Sequence, residues 1–185
     1  MNARAFGNAA DGASVRASLP VSMREVGQGE HRAVDRPGAM LAATLGSCVA
    51  LCLHDRRMRL GGMTHIFRCV DPGPMGTAAV VSEIELLVNA LVRLGSRRTD
   101  LRARVAGGAH VLGRGRDHGG EIADAVLDYI VTERIPLYQK DIGGQRARRI
   151  LFDPVEGRLR IGFPGHAPKG PAAPHPTTPP SPELF

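Results

Sequence analysis

Apolar residues recur along the chain with the spacings that are typical of strands. Residues 40–53 form an almost wholly apolar run broken by one Gly-Ser pair, which predicts a buried strand, a tight turn and a second buried element. Residues 59–67 predict another strand, entered through a glycine pair. At 101–105 apolar residues alternate with arginine, which predicts a half-buried strand. Residues 149–152 and 158–163 flank a turn sequence and predict a hairpin.

Two other segments follow the helical period. The apolar residues of 80–94 fall on one helix face, and Gly95 can end that helix. A second helix is predicted over 121–134, followed by a short strand over 135–140. Many strands with two helices between them predict an α+β or mixed α/β layered fold.

The two ends of the chain differ from its middle. Residues 1–20 lack an apolar period and predict a loose N-terminal extension. Residues 164–185 hold eight of the 14 prolines, which predicts an extended, disordered tail because proline removes backbone donors. The sequence therefore predicts one folded domain over residues 21–163.

The composition excludes several classes of protein. Three cysteines cannot complete a set of disulfides, which argues against a disulfide-stapled secreted domain. No apolar stretch approaches the roughly 18–20 residues that span a bilayer. The first residues also lack the apolar core of a secretory signal. We therefore expect a protein of the reducing cytoplasm that does not insert into membranes.

The charge balance is basic. The 24 basic and 18 acidic residues give a formal net charge of +6, and 22 of the basic residues are arginine. Aromatic residues, which stack on exposed bases, are nearly absent. Binding of nucleic acid through phosphates alone stays open. The pattern favours solvated arginines and an acidic protein partner, so we expect no nucleic-acid partner.

A cysteine and a histidine are the candidates for chemistry. Cys48 follows the Gly-Ser turn inside apolar sequence, where backbone N–H groups and a nearby imidazole would lower the pKa of its thiol. His65 lies on the next predicted strand, and neighbouring strands can bring the two side chains together. A Cys–His pair is the minimum for covalent acyl chemistry. The alternative is that both are core residues, which is the commoner role of a single cysteine or histidine.

Zinc binding is a further alternative. The potential ligands Cys48, Cys52, His54, His65 and Cys69 lie within 22 residues. Their C-x3-C and H-x3-C spacings differ from the paired C-x2-C knuckles of zinc sites. Apolar neighbours of Cys52 and Cys69 indicate core positions. The spacing therefore disfavours a metal without excluding it.

Five sequence blocks, in a consistent order, carry a resemblance to a known family. The two specific blocks are Leu-Gly-Ser-Cys at 45–48 and Gly-Gly-Met-Thr-His at 61–65. The other three are Val-Gly-Gln-Gly-Glu at 26–30, Val-Ala-Gly-Gly-Ala at 105–109 and Asp-Ile-Gly-Gly-Gln-Arg at 141–146. Together they resemble the chemoreceptor glutamine deamidase family of bacterial chemotaxis, CheD, over about residues 23–163.

The resemblance implies an amidohydrolase that converts glutamine side chains of chemoreceptors to glutamate. It implies Cys48 as the nucleophile and His65 as the base, with no metal or organic cofactor. It also implies a layered α/β fold with a β-sandwich-like core flanked by helices, as in cysteine deamidases. The implied substrate is the cytoplasmic helical bundle of chemoreceptors. A binding module for a CheC-type phosphatase, with weak or no catalysis, is the alternative from another class.

A threonine completes the family's site, and this chain departs from the pattern there. Family members place it five or six residues before the cysteine, where this chain has Ala43 and Ala42. Thr44 stands at minus four. Positions 42 and 44 of a strand point to the same face, so Thr44 is a candidate for the orienting residue. The alternative is that Thr44 is an ordinary β-branched strand residue.

Overall fold

The described part of the chain contains nine strands, two α-helices and one short 3₁₀ helix. This computed structural model describes residues 22–68, 70 and 76–164. The strands are β1 Ser22–Glu25, β2 His31–Val34, β3 Ala39–Leu45, β4 Val49–Asp55, β5 Leu60–Ile66, β6 Leu101–Gly107, β7 Leu137–Ile142, β8 Arg148–Asp153 and β9 Arg158–Gly162. The helices are α1 Ala78–Arg93 and α2 His118–Thr132, and the 3₁₀ helix is Arg98–Asp100.

The strands form two sheets. One has four strands in the order β1-β3-β8-β9, and the other has five in the order β2-β5-β4-β6-β7. Neighbouring strands are antiparallel except for the parallel pairs β1–β3 and β6–β7. Because β3 and β4 belong to different sheets, the turn at 46–48 carries the chain from one layer to the other.

The five-stranded sheet is covered on both faces. Val49, Leu51 and Leu53 of β4 belong to a core shared with the helices. Ala50 and Cys52 point the other way, into a core shared with the four-stranded sheet. Every residue of β4 and β5 is buried. Double burial explains why this part of the sequence is continuously apolar and does not alternate with polar residues.

Both helices lie on the same face of the five-stranded sheet. Helix α1 packs over β5 and β2, and α2 packs over β4, β6 and β7. The chain leaves α1 at Gly95, whose φ of 99° is favourable for glycine. Among the described residues, no helix is long and apolar enough to cross a membrane.

One glycine of β5 sets the distance between three elements. A Cβ atom at Gly62 would lie 2.4 Å from the carbonyl oxygen of Arg32 on β2. It would also lie 2.7 Å from Cδ1 of Leu87 on α1. Both distances are below normal contact, so only glycine lets β2 and α1 approach β5 this closely.

The structure confirms most elements that the sequence predicts. The strand–turn–strand unit at 40–53, the strand at 59–67, both helices and the C-terminal hairpin are all present. The glycine pair lies inside β5 and does not precede it. The apolar pattern of the sequence does not predict β1 and β2. Both are short, and neither has a fully buried residue.

The α+β layered fold is also confirmed. The two facing sheets form the sandwich-like core, and the helices flank it on one side. The predicted N-terminal extension, residues 1–20, lies outside the described residues, as does nearly all of the predicted tail at 164–185. The bounds of the domain, 21–163, stay a prediction.

The Gly62→Ala variant tests the close approach of these layers. We expect its free energy of unfolding, measured by urea denaturation, to fall by about 1–3 kcal/mol because β2 or α1 must move. Gly162→Ala is the matched control, since its Cβ would meet only the Arg149 carbonyl oxygen at 3.8 Å. Equal stability of the two variants would contradict the packing argument.

Candidate active site

Cys48 lies in the turn that joins the two sheets. It comes directly before β4 and is only 8% exposed. Its side chain belongs to the core between the sheets, together with Ala50 and Cys52 of β4. Cys48 is therefore at the edge of the five-stranded sheet, on the face that the four-stranded sheet covers.

His65 lies on the neighbouring strand, on the same face. It pairs with Ala50 in the antiparallel ladder between β4 and β5, and it is 4% exposed. Cys48 is two residues before Ala50 and just outside the paired residues of β4, so it lies at the end of this ladder, diagonal to His65. Diagonal neighbours on one face of a ladder lie roughly 7–8 Å apart, and no hydrogen bond joins the two side chains. The structure thus brings the predicted nucleophile and base to one face at adjacent positions.

The imidazole of His65 is oriented by a main-chain carbonyl. His65 Nδ1 lies 2.9 Å from the carbonyl oxygen of Val26, so this nitrogen carries the proton and donates. The other nitrogen, Nε2, is then the acceptor. Nε2 is buried and has no hydrogen-bond partner among the described residues. A neutral imidazole with a free acceptor nitrogen is the form that a general base requires.

The segment after β1 holds the main chain of His65 as well. The N–H of His65 donates to the carbonyl of Glu30 at 3.0 Å, and the carbonyl of His65 accepts from the N–H of Gly29 at 2.8 Å. Sequence analysis assigned no role to the Val26 carbonyl because every residue type carries one. The resemblance of block 26–30 to the family was the available signal.

The end of β6 and the two residues after it hold the main chain around Cys48. The N–H of Gly108 donates to the Cys48 carbonyl at 2.8 Å, and the N–H of Ala109 donates to the Gly46 carbonyl at 2.9 Å. A Cβ atom at Gly107 would lie 2.2 Å from the Cys48 carbonyl oxygen. The backbone at Gly107 thus approaches the main chain of Cys48 more closely than a side chain at that position would allow.

The pKa of Cys48 moves in the direction opposite to the sequence expectation. Burial raises the pKa of the thiol above its ordinary value, its own backbone N–H lowers it in part, and the carboxylate of Glu83 raises it further. The expectation of a lowered thiol pKa was wrong, because burial removes more solvation from the sulfur than the backbone hydrogen bond restores. In the free protein Cys48 is therefore a protonated thiol.

Glu83, a residue of α1, is only 7% exposed. The Nε of Arg68 donates to its Oε1 at 3.1 Å. Burial raises the pKa of Glu83, and Arg68 opposes that shift. The sequence pattern does not mark Glu83, since a glutamate in an amphipathic helix is usually solvated.

Thr44 lies on the other face of its strand. Leu41, Ala43 and Leu45 of β3 point into the core between the sheets, whereas Thr44 is exposed. Its hydroxyl accepts a hydrogen bond from Nη1 of Arg149 at 3.2 Å. The structure thus does not bring Thr44 to His65, and the acceptor at Nδ1 of His65 is a backbone carbonyl.

The described candidates for zinc ligands are spread over the turn before β4, β4 itself and β5. His54 lies at the far end of β4, where its Nδ1 is 2.9 Å from the carbonyl oxygen of Pro154. Cys52 is fully buried, and burial raises the pKa of its thiol. Cys69 lies outside the described residues. Across the parts of the chain that are described, no group of three or more Cys, His, Asp or Glu could hold a metal ion.

Comparisons with a family model and with curated relatives identify the same family. Residues 79–162 match the family described as CheD chemotactic sensory transduction, a segment that begins after Cys48 and His65. A relative from Agrobacterium fabrum is 38% identical over 136 residues, covering 72% of this chain and 75% of its own. One from Acidiphilium cryptum is 39% identical over 154 residues, covering 79% of this chain and 81% of its own. Both are named probable chemoreceptor glutamine deamidase CheD.

Among solved structures, the hypothetical protein YfiH of Bacillus licheniformis aligns with a TM-score of 0.44 and 17% sequence identity. The alignment covers 66% of this chain and 60% of that protein.

Alkylation of Cys48 by iodoacetamide tests the electrostatics of the site. Because only the thiolate reacts and the pKa is raised, we expect the rate to rise with pH at a midpoint above that of an ordinary thiol. Glu83→Gln removes a negative charge and should lower this midpoint. Glu85→Gln, on the same helix but paired with Arg98, should not. Peptide mass spectrometry reads each cysteine separately, and equal midpoints in all three proteins would contradict the argument.

Proposed function

The chain belongs to the CheD family, and we propose that it hydrolyses the side-chain amide of glutamine residues in chemoreceptors, using Cys48 as the nucleophile and His65 as the base. The names of its relatives support the substrate. The acceptor nitrogen of His65 supports the chemistry most strongly, because it is buried, unpartnered among the described residues and diagonal to Cys48.

The first step forms the thiolate. Nε2 of His65 removes the proton of the Cys48 thiol while Nδ1 keeps its hydrogen bond to the Val26 carbonyl. That carbonyl stabilises the imidazolium that results. The raised pKa of Cys48 fits this order, since the thiolate forms only as the proton moves to His65.

The later steps use the same two side chains. The sulfur attacks the carboxamide carbon, and backbone N–H groups of the turn at Ser47 and Cys48 hold the oxyanion. His65 returns the proton to the leaving nitrogen, which departs as ammonia and leaves a thioester. Water, deprotonated by His65, then hydrolyses the thioester to glutamate and regenerates the thiol. These steps need no metal or organic cofactor.

We place the substrate glutamines on the cytoplasmic helical bundle of the receptor. Exposed apolar side chains near the site offer a surface for a helix: Phe67 is 41% exposed, and Val111, whose Cγ2 would lie 3.5 Å from a Cβ at Gly46, is 51% exposed. Each conversion of glutamine to glutamate adds a negative charge to that bundle and so changes its signalling state.

The wild-type protein should convert glutamine to glutamate in a purified chemoreceptor cytoplasmic fragment, detected by peptide mass spectrometry in heavy-oxygen water. We expect Cys48→Ala to abolish the conversion, since it removes the nucleophile. His65→Ala should slow it by about 10²–10⁴-fold, the usual contribution of a general base. Circular dichroism of both variants controls for loss of fold.

Two results would contradict the proposed deamidase activity. One is conversion that persists in Cys48→Ala. The other is a wild-type protein that converts no receptor glutamine but binds a CheC-type phosphatase in a pull-down, which would favour the regulatory binding module.

Thr44→Val tests whether this threonine has a catalytic role. Because the Thr44 hydroxyl bonds Arg149 on the exposed face, we expect the variant to deamidate the receptor fragment at nearly the wild-type rate. Valine keeps the β-branched shape and removes only the hydroxyl. A loss comparable to that of His65→Ala would show that Thr44 reaches the imidazole during catalysis.

A further inference from the structure

A cleft at the opposite end of β4 from Cys48 is lined mainly by arginine. Its volume is about 400 Å³, which is within the usual range for small-molecule sites. His54, which also lines the cleft, is six residues beyond Cys48, a distance of roughly 20 Å along an extended strand. The five lining arginines form two walls, Arg102 and Arg104 on β6 and Arg56, Arg57 and Arg59 in the turn between β4 and β5.

The alternation of β6 builds the first of these walls. Leu101, Ala103 and Val105 pack in the core beneath the helices. Arg102 and Arg104 therefore face the other side of the five-stranded sheet, the side of the four-stranded sheet. The arginine–apolar pattern at 101–105 thus gives a strand with one apolar face and one charged face.

Arg104 is a partly buried member of this wall. Its Nη1 is buried and has no hydrogen-bond partner in the part of the chain that the structure describes. Its guanidinium carbon lies 5.7 Å from the ring centroid of Tyr138, a contact that positions the group without using its N–H donors. Burial lowers the pKa of Arg104, so the guanidinium has lost more solvation than its neighbours return. A buried donor of this kind is destabilising unless a ligand supplies the acceptor.

The cleft carries more positive charge than nearby carboxylates offset. Oε1 of Glu156 accepts from Nη2 of Arg59 at 2.6 Å, and Oδ2 of Asp100 lies 3.4 Å from Nε of Arg57. Arg56 is exposed and has no ion pair among the described residues. Guanidinium groups that converge on one cleft repel one another, and an anion bound between them replaces that repulsion with attraction.

We propose that this cleft binds a small oxyanion with two linked phosphate groups, held by Arg104 on one wall and Arg56 on the other. The planar guanidinium presents paired N–H donors that match the oxygens of a phosphate. Two phosphate groups also match two walls, since one lies against β6 while the other meets the turn between β4 and β5. A protein partner fits less well, because a broad surface reaches the rim of the cleft but not the partly buried Arg104. This site is separate from Cys48 and does not depend on the proposed deamidation.

Isothermal titration calorimetry of the full chain with pyrophosphate tests this site. We expect saturable binding of one pyrophosphate per chain, and weaker binding of inorganic phosphate, which contacts one wall only. ADP, titrated in parallel, distinguishes the source of the two phosphates: tighter binding than pyrophosphate indicates an organic diphosphate, and equal or weaker binding indicates pyrophosphate itself. Cys48→Ala should bind pyrophosphate as the wild type does.

Two variants of the walls give the expected losses. Arg104→Gln should raise the Kd for pyrophosphate about 10- to 100-fold, as for loss of hydrogen bonds to a charged group. Arg56→Gln should raise it about 2- to 5-fold, because an exposed charge contributes less. Arg56 lies in a turn outside both cores, so this variant keeps the test decisive if Arg104→Gln does not fold.

Matched variants separate a specific site from general attraction to a basic protein. Arg160→Gln removes the same charge as Arg56→Gln from an exposed position on β9 outside the cleft, and it should leave the Kd unchanged. Glu156→Gln removes the carboxylate that binds Arg59 and should tighten binding. Asp124→Asn makes the same charge change on the exposed face of α2 and should not.

Three results would overturn the proposal. The first is the absence of saturable pyrophosphate binding by the wild type. The second is a loss of affinity in Arg160→Gln as large as that in Arg104→Gln, which would indicate attraction to net charge alone. The third is tighter binding of a polyglutamate peptide than of pyrophosphate, which would assign the cleft to an acidic protein partner.

Discussion

The burial of β4 and β5 on both faces determines how the rest of the structure is arranged. Helices cover one face and the four-stranded sheet covers the other, so the two strands tolerate few polar side chains. Any polar group placed there must find a partner or a function. His65 meets this requirement through the Val26 carbonyl at one nitrogen and, in the proposed mechanism, through the Cys48 thiol at the other.

Burial also explains the chemical state of the resting site. A thiol in a dry environment resists ionisation, and Glu83 adds to that resistance. In the proposed mechanism, the thiol is therefore protected from electrophiles other than the substrate until His65 accepts its proton. A buried Cys48 thiolate would cost more free energy here than the neutral thiol does. In the proposed mechanism, ionisation of Cys48 therefore coincides with its attack on the amide.

The sequence predicts the doubly buried strands and the amphipathic helices because their apolar periods are long. It does not predict β1, whose four exposed residues have no apolar pattern and which is positioned by pairing with β3. The position of His65 beside Cys48 follows from strand order, but the orientation of its ring does not. A main-chain carbonyl sets that orientation, and no residue type marks it. The sequence does not predict the burial of Glu83, because that burial depends on the tertiary packing of α1.

The Val26 carbonyl also gives a physical account of the departure at the threonine position. Orientation of an imidazole by a side-chain hydroxyl requires a particular residue type at one position, whereas orientation by a backbone carbonyl requires only the path of the chain. Here the segment after β1 is tied to the main chain of His65 by two further hydrogen bonds, so the acceptor stays in place. With that anchor, the imidazole keeps its orientation although the chain carries Ala42 and Ala43 at the threonine positions, so the base proposed at Nε2 of His65 does not depend on a threonine.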